Sequence, residues 1–259
     1  MRTLEDVRSR AARFCAERNW EQFHTPTNLA LALVGEVGEV SEIFQWKGPG
    51  MDKLTPEEVV HAGEELSDVF IYATRLCQQC DIDLAKCVNN FIDCQGVLLN
   101  DQFEVRPDSQ NGASWDSSVC FESISSKLLI EETNPRFFAM KLSSQTGVLA
   151  DLFTQQHNME SPLGLRNWSP HQLKTIGFTI ASIAVILCSL SKLLGLSLNE
   201  CIARKMDKND LKYPADRSKG SSAKYTVYAA DKKQGPLLFS MGFFLLGLFL
   251  GRRLPPVRF

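Results

Sequence analysis

Two pairs of carboxylates, each spaced like one helical turn, stand out in the first third of the sequence. Glu36 and Glu39 lie in the run GEVGEVSEIFQW, and Glu65 and Asp68 lie in GEELSDVFIYA. Residues three apart on a helix share a face, where like charges repel each other unless a cation lies between them. Carboxylate oxygens are the ligands that Mg²⁺ prefers. Two such pairs on consecutive predicted helices favour a metal site. The alternative is that each pair lies on a solvated acidic helix face.

The charge is distributed unevenly along the 259 residues. Residues 1–100 hold nine basic and sixteen acidic side chains, whereas residues 204–233 hold nine basic and four acidic ones. An acidic and a basic region suit a metal and a phosphate group respectively, although two solvated surfaces would give the same pattern. The net charge of −2 indicates no polyanionic partner, and we expect no nucleic acid to bind.

Eight cysteines are scattered along the chain, which is not the pattern of a secreted disulfide framework. The sequence opens on a polar amphipathic helix rather than a signal peptide, so we expect a reduced, cytosolic protein. Cys77 and Cys80 have the spacing of a thiolate metal or redox motif, but no second pair matches them. We predict that both pack as small apolar side chains within a long helix.

Apolar residues recur at helical spacing almost everywhere, so the sequence predicts an all-α fold. Thr55-Pro56 with Glu58, Ser169-Pro170 with Gln172, and Ser197 with Glu200 have the pattern of capping boxes at helix starts. The predicted helices lie near residues 3–18, 28–46, 55–79, 84–99, 138–157, 169–194 and 198–211.

The helix starts recur at a fixed offset, which indicates an internal duplication. Thr55-Pro56 matches Ser169-Pro170 at an offset of 114, and Pro26 matches Pro135 at an offset of 109. A polar stretch with Pro and Gly separates the copies and is typical of a linker. The predicted domains are a first repeat at 1–105, a linker at 106–118, a second repeat at 119–226 and an apolar tail at 227–259.

The acid pairs stand within two longer runs that resemble a known family. AERNWEQFHTPTNLALALVGEVGEVSEIFQWKG and EELSDVFIYATRLCQQCDIDL are similar to the all-α, MazG-like nucleoside triphosphate pyrophosphohydrolases of the dCTP type. KMDKNDLKYPADRSKGSSAKYT, which ends the second repeat, resembles the C-terminal end of the same family. The resemblance implies a helical bundle built from paired subunits, which the two fused repeats would form here as a pseudo-dimer in one chain.

The resemblance implies a role for individual residues. It makes Glu36, Glu39, Glu65 and Asp68 the catalytic Mg²⁺ ligands. It assigns a group of mostly aromatic and polar side chains to the nucleotide pocket, namely Trp20, Glu21, Gln22, Phe23, His24, Trp46 and Tyr72. Aromatic faces can stack on a base and polar groups can contact its edge, while ordinary core packing is the alternative for each aromatic. One departure is Ala11, which stands where dCTP-type enzymes have a histidine near the base.

The two repeats differ in the residues that carry chemistry. The positions that correspond to the four acids are Gln145, Val148, Thr179 and Ser182, so the second repeat cannot hold Mg²⁺ in that way. Only the second repeat has the family's basic ending, with Lys205, Asn209, Lys212, Tyr213 and Lys224. We expect one site per chain, with phosphate contacts supplied by the second repeat, and an assembly of two pseudo-dimers. A solvated basic segment is the alternative.

The run PLLFSMGFFLLGLFLG at residues 236–251 has no charged residue and lies between two basic pairs. It is slightly shorter than a usual bilayer span, although flanking Lys and Arg side chains can lengthen it. The composition favours an anchor in an intracellular membrane with the rest of the protein in the cytosol. A core helix or an irregular C-terminus is the alternative.

The function that the resemblance implies is Mg²⁺-dependent pyrophosphohydrolysis of a nucleoside triphosphate, with dCTP converted to dCMP and diphosphate. A bound metal would polarise the phosphates and acidify the attacking water. The sequence leaves open which glutamate acts as a base and which phosphorus is attacked. The rival interpretation is a nucleotide-binding or membrane-tethered scaffold that has lost turnover.

Overall fold

A computed structural model describes residues 2–50, 54–93, 116, 118–128, 130–155, 165 and 168–221. Within these ranges the protein is all-α, as predicted, and contains no β-strand. The helices of the described chain are α1 Leu4–Glu17, α2 Pro26–Phe44, α3 Pro56–Gln79, α4 Leu84–Asp93, α5 Phe121–Lys127, α6 Pro135–Thr154, α7 Pro170–Leu193, α8 Leu198–Lys212 and α9 Ala215–Ser218.

Polar caps explain where the long helices begin. The Thr55 hydroxyl accepts a hydrogen bond from the Glu58 amide, and the Glu58 carboxylate accepts one from the Thr55 amide. Ser169 and Gln172 form the same reciprocal pair at the start of α7. Each box satisfies amides that the first helical turn leaves without a partner, and the proline that follows needs none. The capping boxes at α3 and α7 are therefore confirmed.

The predicted capping box at Ser197 is wrong. No side chain caps the start of α8, because the Ser197 hydroxyl bonds instead to Asn199 Oδ1 at 2.6 Å. Serine and asparagine side chains readily form such short-range contacts, which compete with helix capping. The structure also contains α5 and α9, which the sequence pattern did not predict.

Three helices end in the same tight turn, in which the residue after the cap is left-handed. These residues are Asn19 after α1, Asp81 after α3 and Gly195 after α7, with φ of 53°, 54° and 68°. After α7 the Leu196 amide donates to the Ser191 carbonyl and the Gly195 amide donates to Lys192. This Schellman arrangement satisfies the last carbonyls of the helix and turns the chain sharply.

The core lies between two helix pairs, α2 with α3 and α6 with α7, which also contact each other. The outer helices cross over between the halves of the sequence, since α8 packs on α3 and α4 packs on α7. Buried Phe44, Phe70 and Leu187 are typical of the side chains that fill the core. Burial of such a side chain contributes about 2 kcal/mol. The crossing places α8 of the second half beside the acid-bearing helix of the first.

Helix α7 is long and apolar enough to cross a membrane, and it alone passes that test in the described part of the chain. Most of its apolar window is buried within the protein, which is what a core helix shows. The run at 236–251 that suggested an anchor lies outside the described residues, as do the segment from Cys94 to Trp115 and Lys224.

Cys77 and Cys80 lie in the packed interior, as predicted. Cys77 is fully buried within α3, Cys80 caps the same helix, and Cys87 on α4 is nearby. All three are free thiols, and burial raises the pKa of each. A thiol that is protonated and out of contact with solvent packs as a small apolar group rather than reacting.

Candidate active site

Helices α2 and α3 bring three carboxylates together. Ligand oxygens of Glu36, Glu65 and Asp68 all lie within 4.8 Å of one another. Glu65 is buried, while Glu36 and Asp68 are half-buried. Glu39 follows Glu36 by one turn of α2 and is exposed, so it lies at the rim of this acid cluster. The spacing of the two acid pairs therefore places them on the facing sides of neighbouring helices.

The acid cluster is electrostatically unfavourable by itself. Burial, followed by repulsion from Asp68, Glu39 and Glu65, raises the pKa of Glu36 to about 7. Burial is also the main reason why the pKa values of Glu65 and Asp68 are raised. Partly or fully buried carboxylates that repel one another and have raised pKa values are a common feature of functional sites.

Lys205 of α8 supplies a positive charge to this cluster. Its ammonium lies 2.5 Å from Asp68 Oδ2 and 3.8 Å from Glu65 Oε1, and its side chain is 9% exposed. Burial lowers the pKa of Lys205, but attraction to Asp68 and Glu65 outweighs it and the pKa is raised overall. Lys205 is thus held in its charged form against the carboxylates.

The face of α8 that meets α3 presents further polar groups. Asn209 and Lys212 follow Lys205 by about one and two helical turns, and both are half-buried. The pKa of Asp68 is raised overall, and the Lys212 charge opposes that rise, which indicates that Lys212 acts on the acid cluster. One turn of α8 away, Lys208 pairs with Glu64 at 2.6 Å. The second half of the sequence therefore directs cations at the acids of the first.

Two arginines of the first half hold α8 in place. Arg10 contacts Asp207 at 2.6 Å and Asp210 at 3.0 Å. Arg18, which is 3% exposed, donates to the Tyr213 carbonyl at 2.7 Å and to Asp210 at 3.2 Å. These contacts secure the C-terminal part of α8 against α1 and the turn that follows it, and so fix the position of the lysines.

The turn after α1 places the predicted nucleotide-pocket residues. The Schellman bond from the Trp20 amide to the Cys15 carbonyl folds Trp20 back, and its indole donates to the Ser218 carbonyl at 3.0 Å. Its ring packs edge-on against Tyr213 at 5.2 Å. Trp20 is half-buried, so ordinary packing accounts for part of its surface and the rest is accessible to solvent.

Tyr72 lies one turn beyond Asp68 on α3 and is half-buried. Burial raises the pKa of its hydroxyl, and the charges of Glu36 and Asp68 add to the effect. Tyr72 therefore lies beside the acid cluster as a neutral phenol. The remaining residues of the turn differ in exposure, since Glu21 and Phe23 are half-buried and Gln22 is exposed.

Trp46 is not brought to the other aromatic side chains. It lies in the turn after α2, is 88% exposed and makes no ring contact with another described aromatic residue. The sequence offers a reason, because α2 ends at Phe44 and Trp46 therefore does not belong to the buried face of that helix. Lys224 lies outside the described residues.

A divalent cation fits the acid cluster. Three hard oxygen donors within 4.8 Å have the chemistry that Mg²⁺ prefers, and a dication would relieve the repulsion that raises their pKa values. At the corresponding positions of the second half, Thr179 and Ser182 are buried and Gln145 and Val148 offer no carboxylate. The Thr179 hydroxyl is used within α7, where it donates to the Thr175 carbonyl at 2.8 Å.

Two neighbours of the site were missed in the sequence. His61 lies 3.3 Å from Glu65 on the same helix, and Arg75 lies deeper in α3 beside His24. Their positions carried a signal, because His61 precedes Glu65 by four residues and Arg75 follows Tyr72 by three. Both spacings place a side chain on the acid-bearing face of the helix.

The chain also has relatives of known name over part of its length. It is 53% identical over 94 residues to a protein of Rattus norvegicus and to its counterpart in Homo sapiens, a match that covers 35% of this chain and 55% of each relative. This part of the chain is similar to dCTP pyrophosphatase 1. The Bos taurus dCTP pyrophosphatase 1 is 54% identical over 89 residues, which cover 33% of this chain and 53% of the relative. No protein-family model matches the chain.

The chain spans about half the length of the dCTP pyrophosphatase 1 sequences that it matches. By their name, those relatives are pyrophosphatases that act on dCTP. An acid cluster that faces two lysines offers the donor types that a triphosphate and its metal ion require.

Proposed function

We propose that this protein is a Mg²⁺-dependent nucleoside triphosphate pyrophosphohydrolase that converts dCTP to dCMP and diphosphate. The observation that carries the proposal is the acid cluster of Glu36, Glu65 and Asp68, faced by Lys205. The similarity to dCTP pyrophosphatase 1 supports the reaction and the substrate.

Each group of the site has a role in this reaction. Glu36, Glu65 and Asp68, with Glu39 at the rim, would hold Mg²⁺, which when bound neutralises phosphate charge and acidifies a water molecule. Lys205 and Lys212 contact phosphate oxygens and balance the charge that moves to the leaving diphosphate. A carboxylate of the cluster accepts the proton of the attacking water.

The nucleoside lies farther along α3 in this proposal. Tyr72 is one turn from Asp68 and packs against the sugar, while the Trp20 ring stacks on the base. Half-burial of both rings supports this arrangement, because they combine a fixed position with an accessible surface. The assignment of the exposed Trp46 to the pocket stays a prediction.

We propose further that the chain is a duplicated MazG-like unit, a pseudo-dimer with one site. Helices α3 and α7 are both 24 residues long and begin 114 positions apart. Helix α8 of the second half packs on α3 of the first, and α4 of the first half packs on α7 of the second. This reciprocal packing supports two repeats that exchange their last long helices. The first repeat, at 1–105, supplies the acids, and the second, at 119–226, supplies the lysines.

The sequence supports a location for this activity. We propose a cytosolic site for the helical part of the chain, with the apolar run at 236–251 as a contact to an intracellular membrane. We also propose that two chains assemble into a homodimer of pseudo-dimers, and sedimentation of the purified protein tests it.

Incubation of the purified protein with the four deoxynucleoside triphosphates and Mg²⁺ tests the function. We expect dCMP and diphosphate in equal amounts, with dCTP as the preferred substrate and no product when a chelator replaces the metal. Release of inorganic phosphate instead of diphosphate would contradict the reaction type. Binding of dCTP without any product would support the rival interpretation, a nucleotide-binding scaffold.

A further inference from the structure

One buried cation in the described chain lacks an acidic partner. Arg75 of α3 is 2% exposed, and its contacts in the described chain are with His24 and Gln78 and not with a carboxylate. Its Nη2 group is buried without any hydrogen-bond partner. Its other nitrogens are used, since Nη1 donates to Gln78 Oε1 and Nε donates to His24 Nδ1 at 3.4 Å. A buried guanidinium with a free edge is costly unless a ligand completes it.

The neighbouring histidine is held as a second hydrogen-bond donor. His24 Nδ1 accepts from Arg75, and the Cys15 thiol lies 3.5 Å from the same nitrogen. Burial raises the pKa of Cys15 to about 11, so the thiol keeps its proton. Burial and the Arg75 charge lower the pKa of His24 to about 4, so the imidazole is neutral. With Nδ1 occupied as an acceptor, the proton of the neutral ring is on Nε2.

The position of this pair along α3 identifies the part of a nucleotide that would meet it. Arg75 follows Asp68 by seven residues, which is about 10.5 Å along a helix. Tyr72 lies between them, and the ring of Trp20 lies 6.4 Å from that of His24. If the phosphates lie at Asp68 and Lys205, a group about 10 Å farther along α3 meets the base and not the phosphates.

The chemistry of the pair determines which base edge it accepts. Arg75 Nη2 and His24 Nε2 have only N–H groups to offer, so the ligand must present acceptors. Cytosine presents O2 and N3, two acceptors side by side. Thymine and uracil carry an N–H at position 3, which would oppose the donors of the pair. A site built from unmatched donors rejects such an analogue strongly.

We propose that Arg75, with His24, is a specificity-determining residue that recognises the O2 and N3 acceptors of cytosine. This inference rests on the proposed function and adds a residue outside the acid cluster and the turn at 20–24. Arginine suits this role because it stays charged and its unpartnered Nη2 carries only N–H donors, while His24 Nε2 supplies the second donor. Gln78 and His24 hold the fork in one orientation before any ligand binds.

Replacement of Arg75 by methionine tests the proposal, because Arg75→Met keeps much of the side-chain length and removes the donors. We expect kcat/KM for dCTP to fall about 10- to 100-fold, mainly through KM, since a charged hydrogen bond to the substrate is lost. The value for dTTP should change little, so the preference for dCTP collapses. Arg13→Met on the exposed face of α1 is the matched control and should leave both nucleotides unaffected.

Thermal stability separates recognition from a structural role. Removal of an unbalanced buried charge should leave the Tm of Arg75→Met equal to or above that of the wild type. A fall in Tm together with an equal loss of activity on dCTP and dTTP would overturn the proposal. So would an unchanged ratio of the two kcat/KM values.

A binding experiment without metal keeps this inference separate from the proposed function. Calorimetric titration with dCMP should show binding to the wild type and at least tenfold weaker binding to Arg75→Met, even if the wild type cleaves no nucleotide. Equal binding of dCMP to both proteins would refute the role of Arg75 while leaving the hydrolase proposal intact. Inorganic phosphate is the second probe, and Arg75-dependent binding of phosphate alone would show an anion site instead of a base site.

Discussion

The ammonium of Lys205 on α8 lies 2.5 Å from a carboxylate oxygen of Asp68 on α3. The contact joins the halves of the sequence at the point where three carboxylates meet. Both side chains are largely buried, so each depends on the other for charge balance. A bound metal ion and a triphosphate would take over this charge balance, because the metal would bind the carboxylates and the phosphates would bind Lys205.

The acids of the first half should be essential, whereas the matching position of the second half should not. We expect Asp68→Asn and Glu65→Gln to lower kcat about 100-fold or more, the scale seen when one preorganised charged group is removed from a site. Ser182→Ala, at the position that corresponds to Asp68, should retain nearly full activity. Diphosphate release by the purified variants measures this. Equal losses in both halves would contradict a single site per chain.

Lys205 should matter for the triphosphate more than for the fold. Lys205→Met should raise KM for dCTP about tenfold, because one charged contact to phosphate is lost. Lys208→Met is the matched control, since Lys208 lies on the same helix and pairs with Glu64 at the surface. Its KM should stay within about twofold of the wild type. If Lys205→Met also keeps its KM, α8 contributes packing and no phosphate contact.

The metal-free protein should lose stability as the pH rises through neutrality. Burial and the neighbouring carboxylates raise the pKa of Glu36 from 4.5 to about 7, so the folded state binds this proton more tightly than the unfolded chain. The contribution of Glu36 is fully present below pH 4.5 and is lost as the pH rises through 7. Melting temperatures measured across this window should fall for the wild type and stay flatter for Glu36→Gln.

Metal should reverse this trend. Because a carboxylate ligand must be ionised, the apparent affinity for Mg²⁺ should weaken as the pH falls below about 7. Melting curves with and without Mg²⁺ should therefore diverge above neutrality and converge in acid. A Mg²⁺-induced rise in Tm that is equal at low and high pH would show that Glu36 does not bind the ion.

The fold was largely predictable because its helix starts depend on local chemistry. Thr55 and Glu58 satisfy each other within one turn, so the start of α3 can be recognised without knowing what packs on it. Ser197 shows the limit of this reasoning, since Asn199 lies close enough to take its hydroxyl. The short helix α5 has too few residues for its periodicity to be distinctive.

The site was less predictable than the helices. The spacing of Glu36, Glu65 and Asp68 indicates shared faces, but their distances depend on how α2 packs on α3. The contact between His24 and Arg75 joins segments 51 residues apart, which no local pattern encodes. The exposure of Trp46 likewise depends on the path of the chain after α2.

The contact of α3 with α8 should be sensitive to an added methyl group. A Cβ at Gly63 would lie 2.9 Å from Cys201 Sγ and 3.2 Å from Leu196 Cδ1. We expect Gly63→Ala to destabilise the protein by about 1–3 kcal/mol through overpacking. Gly147→Ala, on the open face of α6, meets nothing within 4 Å and should stabilise it by up to about 1 kcal/mol. Urea unfolding compares the two, and equal effects would contradict close packing at Gly63.

The apolar run at 236–251 should decide where the protein is found in the cell. Protein that carries this run should resist carbonate extraction from membranes, whereas a chain that ends at Lys233 should be soluble and equally active. Gly242 and Gly247 offer a milder test, since Gly242→Arg with Gly247→Arg should release the protein without truncation. Recovery of the whole chain in the soluble fraction would exclude a membrane anchor.

The ion pair between α8 and α3 has a consequence for how the protein behaves at low abundance. A site divided between separate subunits is lost when the subunits dissociate, so its activity per molecule falls on dilution. Here Lys205 and Asp68 belong to one polypeptide. The effective concentration of one group near the other is therefore set by the chain that links them, and it does not depend on the concentration of the protein in the cell. Specific activity that stays constant down to nanomolar enzyme would reflect this. A single chain that carries both groups can thus work as a rare protein, where two subunits of equal affinity would dissociate.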